Sequence, residues 1–233
     1  MKSLTVVIPV LNEVGNLPVL TGELKKFIGD GQVIFVDDGS TDGTRDEIKK
    51  LSETDQRFGF IFTKERLGHM GSYLSGIQET RNDFIAIMDG DLQHPADKLP
   101  EILNLLKNGS DLVVATRYAG NKLIGNRHKV RGIISRGAEF LIRALVKECR
   151  PVSDPLSGFI GFRKGLNVPV NPEMKGNKLL PFLIVGNPGL RISYVSYGFK
   201  ERVSGESKIV NSSSIYIVRF IKEIFEIRKA RKK

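Results

Sequence analysis

The first half of the chain alternates between two apolar rhythms. Mainly apolar runs at Leu4–Val10, Val33–Val36, Phe60–Thr63, Phe84–Met88 and Asp111–Ala115 predict strands buried on both faces. Between them a helical period returns. Leu17–Ile28 is apolar at 17, 20, 24, 27 and 28, and shorter helices are predicted near Arg45–Leu51, Gly71–Thr80 and Pro100–Lys107. Strands alternating with helices predict an α/β fold, a three-layer αβα sandwich around a mainly parallel sheet. In such sheets ligands bind beyond the carboxyl ends of the strands.

The second half is less regular. Lys122–Val130 reads as a loop and Arg131–Val146 as an amphipathic helix with Ile134, Ala138, Leu141 and Leu145 on one stripe. Ser153–Gly158 is rich in turn residues, Phe159–Phe162 and Ile192–Phe199 read as strands, and 200–208 is a polar, basic loop. From Ser212 a last amphipathic helix is predicted, with Ile217, Val218, Ile221, Ile224 and Phe225 on one face. The division expected is a catalytic unit over 1–210 (halves 1–120 and 121–210) followed by a basic helix over 211–233. A chain of 233 residues suits one sizeable core.

Charge sharpens this division. Residues 1–120 hold 13 Lys/Arg against 18 Asp/Glu, whereas residues 121–233 hold 23 against 8. The basic half suits phosphates, whether on a substrate, a membrane surface or nucleic acid. The single Cys149 excludes an internal disulfide, and His69, His94 and His128 form no zinc-type cluster with it. Lys2 runs directly into the first strand, which does not read as a signal peptide. No apolar stretch approaches the ~20 residues needed to span a bilayer.

Candidate chemistry concentrates at the strand ends. Phe84–Met88 runs into Asp89-Gly90-Asp91-Leu92-Gln93-His94-Pro95. Alternate residues of an extended chain point the same way, so Asp89 and Asp91 face one point and Gln93 can join them. These are oxygen ligands suited to Mg²⁺ or Mn²⁺, and a metal held this way grips a diphosphate. Acidic residues after a strand are also ordinary turn and cap residues. Here Asp37, Asp38 and Arg117 fall at other strand ends of the same sheet.

Taken in order, the segments resemble the family 2 glycosyltransferases with a GT-A fold, and within them the dolichol-phosphate mannose synthase branch. The resemblance rests on Ile8-Pro9-Val10-Leu11-Asn12-Glu13, Val36-Asp37-Asp38-Gly39-Ser40-Thr41-Asp42-Gly43-Thr44, Asp89 to Pro95, Thr116-Arg117-Tyr118, Asp154-Pro155-Leu156-Ser157-Gly158-Phe159 and Arg202-Val203-Ser204-Gly205-Glu206-Ser207-Lys208. It implies a nucleoside pocket lined by Pro9, Leu11, Glu13, Val36 and Asp38, with Glu13 toward ribose. Leu11 stands where the family usually has an aromatic ring. Asp37 and Asp42 read equally as turn or cap residues.

By the same resemblance, Asp91 and Gln93 are direct metal ligands, Asp89 orients ribose or metal-bound water, and Gly90 lets the main chain approach the donor. Arg117, Arg202 and Lys208 match the donor phosphate contacts, with Asp91, Arg117 and Arg202 as the catalytic set. Arg131 and Ser135, one helical turn apart, match the acceptor-phosphate site.

The expected reaction is metal-dependent, inverting transfer of mannose from GDP-mannose to dolichyl or another polyprenyl phosphate. A phosphate monoester has a second pKa of ~6, so the acceptor needs no side-chain base. The acceptor lies in a membrane, so the enzyme is expected at the cytoplasmic face as a peripheral protein, with or without a membrane-anchoring protein partner. Arg131–Val146 and Ser212–Lys233 are the candidate interfacial helices.

UDP-glucose as donor is the competing enzymatic reading, and a non-catalytic nucleotide-sugar sensor is a further one. A receiver-like signalling domain would need only about half this length. A nucleic-acid binder would have to rest on the basic half alone, where no recognised module stands, and nucleic acid is not an expected partner.

Overall fold

A computed structural model describes residues 3–119, 122–123, 129–170, 176–198 and 213–230. Seven strands form one sheet, β1 (Leu4–Val10), β2 (Gln32–Asp37), β3 (Phe58–Phe62), β4 (Phe84–Ile87), β5 (Leu112–Thr116), β8 (Ile160–Arg163) and β9 (Ile192–Ser196), in the order β3-β2-β1-β4-β8-β5-β9. All neighbours are parallel except β8, which runs antiparallel between β4 and β5. Its pairs Ala86↔Gly161 and Val113↔Gly161 stitch the second half of the chain into the middle of the sheet. The two halves read from sequence therefore share one sheet. A two-stranded ribbon, β6 (Tyr118–Ala119) and β7 (Lys122–Leu123), leaves the end of β5, where the sequence reading has the second of these in a loop.

Two apolar clusters lie on the two faces of the sheet. On one face, α1 (Leu17–Phe27), α2 (Thr44–Thr54) and α4 (Leu99–Lys107) bury Leu20, Leu24, Ile48, Ile102 and Leu106 against Val6, Ile8 and Val10 of β1. On the other, α3 (Gly68–Glu79), α5 (Lys129–Leu145), α6 (Leu179–Gly186) and α7 (Ser213–Ala230) cover Val7, Val36 and Ile87. Strands covered on both faces are apolar throughout, which is why β1, β2, β4 and β5 show no alternation. Cys149 is fully buried in the second cluster, where burial pushes its thiol up to about 12.

Two glycines set how closely the layers approach. A Cβ on Gly76 would lie 2.2 Å from Val7 Cγ1, and one on Gly161 would lie 2.2 Å from Ile102 Cγ2. These positions bring α3 onto β1 and α4 onto β8.

Three sequence expectations are corrected. The core stripe of α5 is Ala138, Leu141, Ile142 and then Val146, and Leu145 is exposed. On α7 the buried stripe is Phe220, Ile224 and Ile227, spaced four and three, whereas Ile221 and Phe225 face outward. Strand β9 stops at Ser196 rather than Phe199. Helix α6 starts at Leu179, in a stretch for which the sequence pattern predicts no element, and Gly176–Lys178 before it is coil. Among the described residues no helix is long and apolar enough to cross a membrane.

Candidate active site

The loops after β1, β2, β4 and β5 meet at one edge of the sheet. Because β8 is antiparallel, the Asp154–Gly158 loop that precedes it arrives at the same edge. The non-glycine residues with left-handed backbone among the described residues are Asn12 (φ 57°), Leu92 (φ 64°) and Asp154 (φ 52°). All three lie in these edge loops, where such conformations persist only if surrounding contacts hold them.

The first two loops hold each other. Asn12 N–H donates to Ser40 Oγ at 2.8 Å, Thr41 N–H donates to Asn12 Oδ1 at 2.9 Å, and Glu13 N–H donates to Thr44 Oγ1 at 2.9 Å. Glu13 Oε2 accepts from Asn16 Nδ2 at 2.6 Å. Pro9, Leu11 and Glu13 are all half-buried at this edge. Val36 is wholly buried, so its side chain belongs to the core.

Asp37 and Asp38 have separate tasks. Asp37 is fully buried and accepts from the main-chain N–H groups of Gly39 and Ser40 and from Arg45 Nε. Burial alone would raise its carboxyl, but the hydrogen bonds from Ser40, Arg45 and Gly39 prevail and hold it below the ordinary range. Asp42 accepts from Thr44 N–H and Oγ1 at the start of α2. Both therefore serve as turn and cap residues. Asp38 reaches across to α3, accepting from Leu67 N–H at 2.6 Å and Gly68 N–H at 3.0 Å. The carboxylate expected to read the base thus also caps a helix.

After β4, Gln93 N–H donates to Asp91 Oδ1 at 3.2 Å and fixes that carboxylate, which belongs to a residue only 5% exposed. Asp89 is more open, and its main-chain N–H donates to His94 Nδ1 at 2.9 Å. His94 is therefore an Nδ1 acceptor, and its burial lowers its pKa and keeps the ring neutral. It stacks on Phe159 with centroids 5.2 Å apart and meets Tyr197 edge-on at 6.0 Å. A Cβ on Gly158 would lie 3.5 Å from His94 Cε1 and 3.6 Å from Asp89 Oδ2. The two loops are in contact at Gly158. Gly90 packs on β1, where a Cβ would lie 3.1 Å from Val10 Cγ1.

Asp89, Asp91 and the Gln93 amide supply oxygen donors, a set that fits a hard divalent cation. Mg²⁺ sites of this kind combine one or two carboxylates with substrate phosphates. The set does not require a third acid, and among the described residues no trio of His, Cys, Asp or Glu is arranged to hold a metal.

Arg117 is buried at the end of β5. Its Nε donates to Asp154 Oδ2 at 2.7 Å, its Nη2 to Asp154 Oδ1, and its main-chain N–H to Oδ2. Burial works against the charged form, but the hydrogen bonds and charge of Asp154 outweigh it and hold the guanidinium above its ordinary range. Glu139 Oε1 of α5 lies 3.7 Å from Arg117 Nη2 and accepts from Tyr118 Oη at 2.8 Å. Ser157 Oγ donates to Ala115 O at 2.7 Å and pins the loop to β5.

The structure thus places Asp89, Asp91 and Gln93 on one loop and brings that loop, at Asp89 and His94, against the loop before β8, which holds Arg117. Ser135 is half-buried on α5, one turn from Glu139. Arg202 and Lys208, and the side chain of Arg131, lie outside the described residues. His94, Asp154 and Glu139 received no role from sequence. His94 and Asp154 stood inside quoted motifs, whereas Glu139 had only its helical spacing from Ser135.

Along most of its length the chain is similar to known proteins. A dolichol-phosphate mannosyltransferase of Pyrococcus furiosus is 30% identical over 227 residues, 97% of this chain and 63% of that protein. The chain therefore spans less than two thirds of that relative's length. A dolichol-phosphate mannosyltransferase of Saccharomyces cerevisiae is 28% identical over 235 residues, 95% of this chain and 86% of that protein. Among solved structures, glucosyl-3-phosphoglycerate synthase from Mycobacterium tuberculosis, in complex with Mn²⁺, UDP-glucose and phosphoglyceric acid, superposes with a TM-score of 0.70 at 21% identity. That match covers 96% of this chain and 79% of the other, and at this identity it speaks for the fold. The model of glycosyl transferase family 2 matches residues 5–168, most of the chain, and the protein belongs to that family.

Proposed function

We propose that the chain is a metal-dependent, inverting glycosyltransferase that moves mannose from GDP-mannose to dolichyl or another polyprenyl phosphate. The observation that carries this reading is that the loop bearing Asp89, Asp91 and Gln93 packs, through Asp89 and His94, on the loop that fixes Arg117. Relatives named dolichol-phosphate mannosyltransferase, aligned along 95–97% of this chain, favour that acceptor and that sugar. The M. tuberculosis enzyme was crystallised with Mn²⁺ and UDP-glucose, and with Mg²⁺ and UDP.

In this reading Pro9, Leu11, Glu13 and Asp38 line the nucleoside end, where Val36 can offer only its main chain, and Asp89, Gly90 and Asp91 line the sugar-diphosphate end. Mg²⁺ or Mn²⁺, held by Asp91 and Gln93 with Asp89 alongside, would offset charge developing on the leaving diphosphate. Arg117, Arg202 and Lys208 add positive charge around that group. Arg131 and Ser135 hold the acceptor phosphate, whose oxygen is ionised near neutrality and attacks the anomeric carbon without a protein base. His94, neutral and stacked beneath the Asp89 loop, keeps the carboxylates in place and transfers no proton.

The acceptor resides in a membrane, so the protein works at its cytoplasmic face. Phe140 (71% exposed) and Phe225 (55% exposed) stand outward, and Arg219, Lys222, Arg228 and Lys229 flank the α7 site with positive charge. A membrane-anchoring protein partner would serve the same end. Competition between labelled GDP-mannose and UDP-glucose for transfer to a short polyprenyl phosphate in detergent tests the donor. Mannosyl transfer is expected, and glucosyl transfer alone would replace the donor while leaving the site chemistry intact.

A further inference from the structure

Glu139 sits where simple electrostatics would not place an acid. Its side chain is 13% exposed, so its charge is costly to bury, and burial raises its pKa. It also stands one helical turn beyond Ser135, on a face read as binding an anion. Two contacts offset these costs. Tyr118 Oη donates to Glu139 Oε1 at 2.8 Å, and Arg117 Nη2 lies 3.7 Å from the same oxygen.

Tyr118 and Arg117 are consecutive residues at the end of β5, and Arg117 is already held by Asp154. The contacts therefore run from the loop before β8, through the end of β5, to the middle of α5. Around these residues, the ring of Tyr118 is half-buried and its hydroxyl is pushed up to about 12, by burial first and then by Glu139. It remains a donor throughout the working range. The apolar stripe of Ala138, Leu141 and Ile142 turns one face of α5 to the core, and hydrogen bonds between Arg143 and Arg150 hold its C-terminal end, but neither contact reaches the end of β5. The directional hydrogen bond from the Tyr118 ring to the buried Glu139 carboxylate makes that link, and so refines the helix's orientation relative to the strand end.

We propose that Tyr118 and Glu139 form a latch that sets which face α5 turns toward the carboxyl edge, making Glu139 a positioning residue for the acceptor phosphate. This rests on the reading of Arg131 and Ser135 as the acceptor site. Glu139 does not touch the reacting atoms. It aligns the helix that carries those residues with the strand end that carries Arg117.

The test is steady-state transfer by the full chain in detergent, with acceptor and donor KM measured separately for Tyr118→Phe, Glu139→Ala and Glu139→Gln, and a thermal melt of each. Tyr118→Phe and Glu139→Ala are expected to raise acceptor KM about tenfold, in line with one lost hydrogen bond, and to leave donor KM within about twofold. Glu139→Gln keeps an oxygen acceptor for the phenol and is expected to recover most of the loss. A Gln variant as impaired as Ala would assign the effect to charge and overturn the latch. Equal rises in both KM values, or lowered melting with KM unchanged, would overturn it too. Wild-type protein inert toward every polyprenyl phosphate would sink the acceptor reading itself, and the latch with it.

Discussion

Arg117 meets the carboxyl edge already paired with Asp154, and the pair limits what either residue can do. A guanidinium buried this far is stable only with its partner, and removing one member of such a pair costs about 3–5 kcal/mol. Asp154→Ala is expected to lower stability by that order in urea unfolding and to abolish transfer, because Arg117 loses its alignment as well as its counter-ion. An unchanged midpoint would mean that water or Glu139 replaces the partner. Asp37 makes a pH prediction. Its folded carboxyl lies below the ordinary 3.8, so the stability it contributes is complete above that value and is lost as pH falls through the folded one. Urea midpoints between about pH 7 and about pH 3 should fall on the acid side. The fall should be shallower in Asp37→Asn, which also starts lower for want of the Arg45 ion pair.

At the level of elements, α3 shows where the sequence pattern falls short. Periodicity starts the helix at Gly71, but it begins at Gly68 because Asp38, thirty residues away, accepts the Leu67 and Gly68 amides. A cap supplied from another strand end leaves no local signal. Helix α6 is not legible in the sequence, for the opposite reason. Leu-Leu-Pro-Phe-Leu-Ile-Val-Gly is buried on every side, and an apolar run without a polar face has no period to read. The residues leading into it are held from α7, where Glu223 Oε1 accepts from Asn177 and Lys178 N–H. The strands were legible because double burial makes them uniformly apolar, and β8 was found as a strand although nothing local gave its direction. The close approach of α3 to β1 gives a further prediction. Gly76→Ala places a methyl group 2.2 Å from Val7 Cγ1 and should cost about 1–3 kcal/mol in a thermal or urea melt. A neutral result would mean that α3 can move away freely.

Across the whole molecule, the carboxyl edge gathers residues from both halves of a chain whose charge is sharply divided. The acidic first half supplies Asp89 and Asp91, and β8 carries the second half between β4 and β5 so that Asp154 can hold Arg117. The site motifs were legible because turn and ligand residues follow strands at fixed spacing. The links between loops, such as Gly158 against Asp89 and His94, were not, because contacts across about sixty residues leave no spacing to read. Helix α7 has two faces with different tasks. Phe220, Ile224 and Ile227 complete the core, while Ile221 and Phe225 face outward. Deleting residues 213–233 should therefore cost several kcal/mol in a melt, since each buried side chain of this kind contributes roughly 1.5–3 kcal/mol. A truncated chain of unchanged stability would make α7 an appendage.

The carboxylates after β4 stand at the centre of the proposed sugar transfer to a lipid phosphate. The most direct measurement is transfer of labelled mannose from GDP-mannose to a short dolichyl phosphate in detergent, with Mn²⁺, with chelator, and in Asp91→Ala. Transfer is expected with the metal, none with chelator, and none in the folded variant. Metal-independent transfer, or a fully active Asp91→Ala, would contradict the proposal.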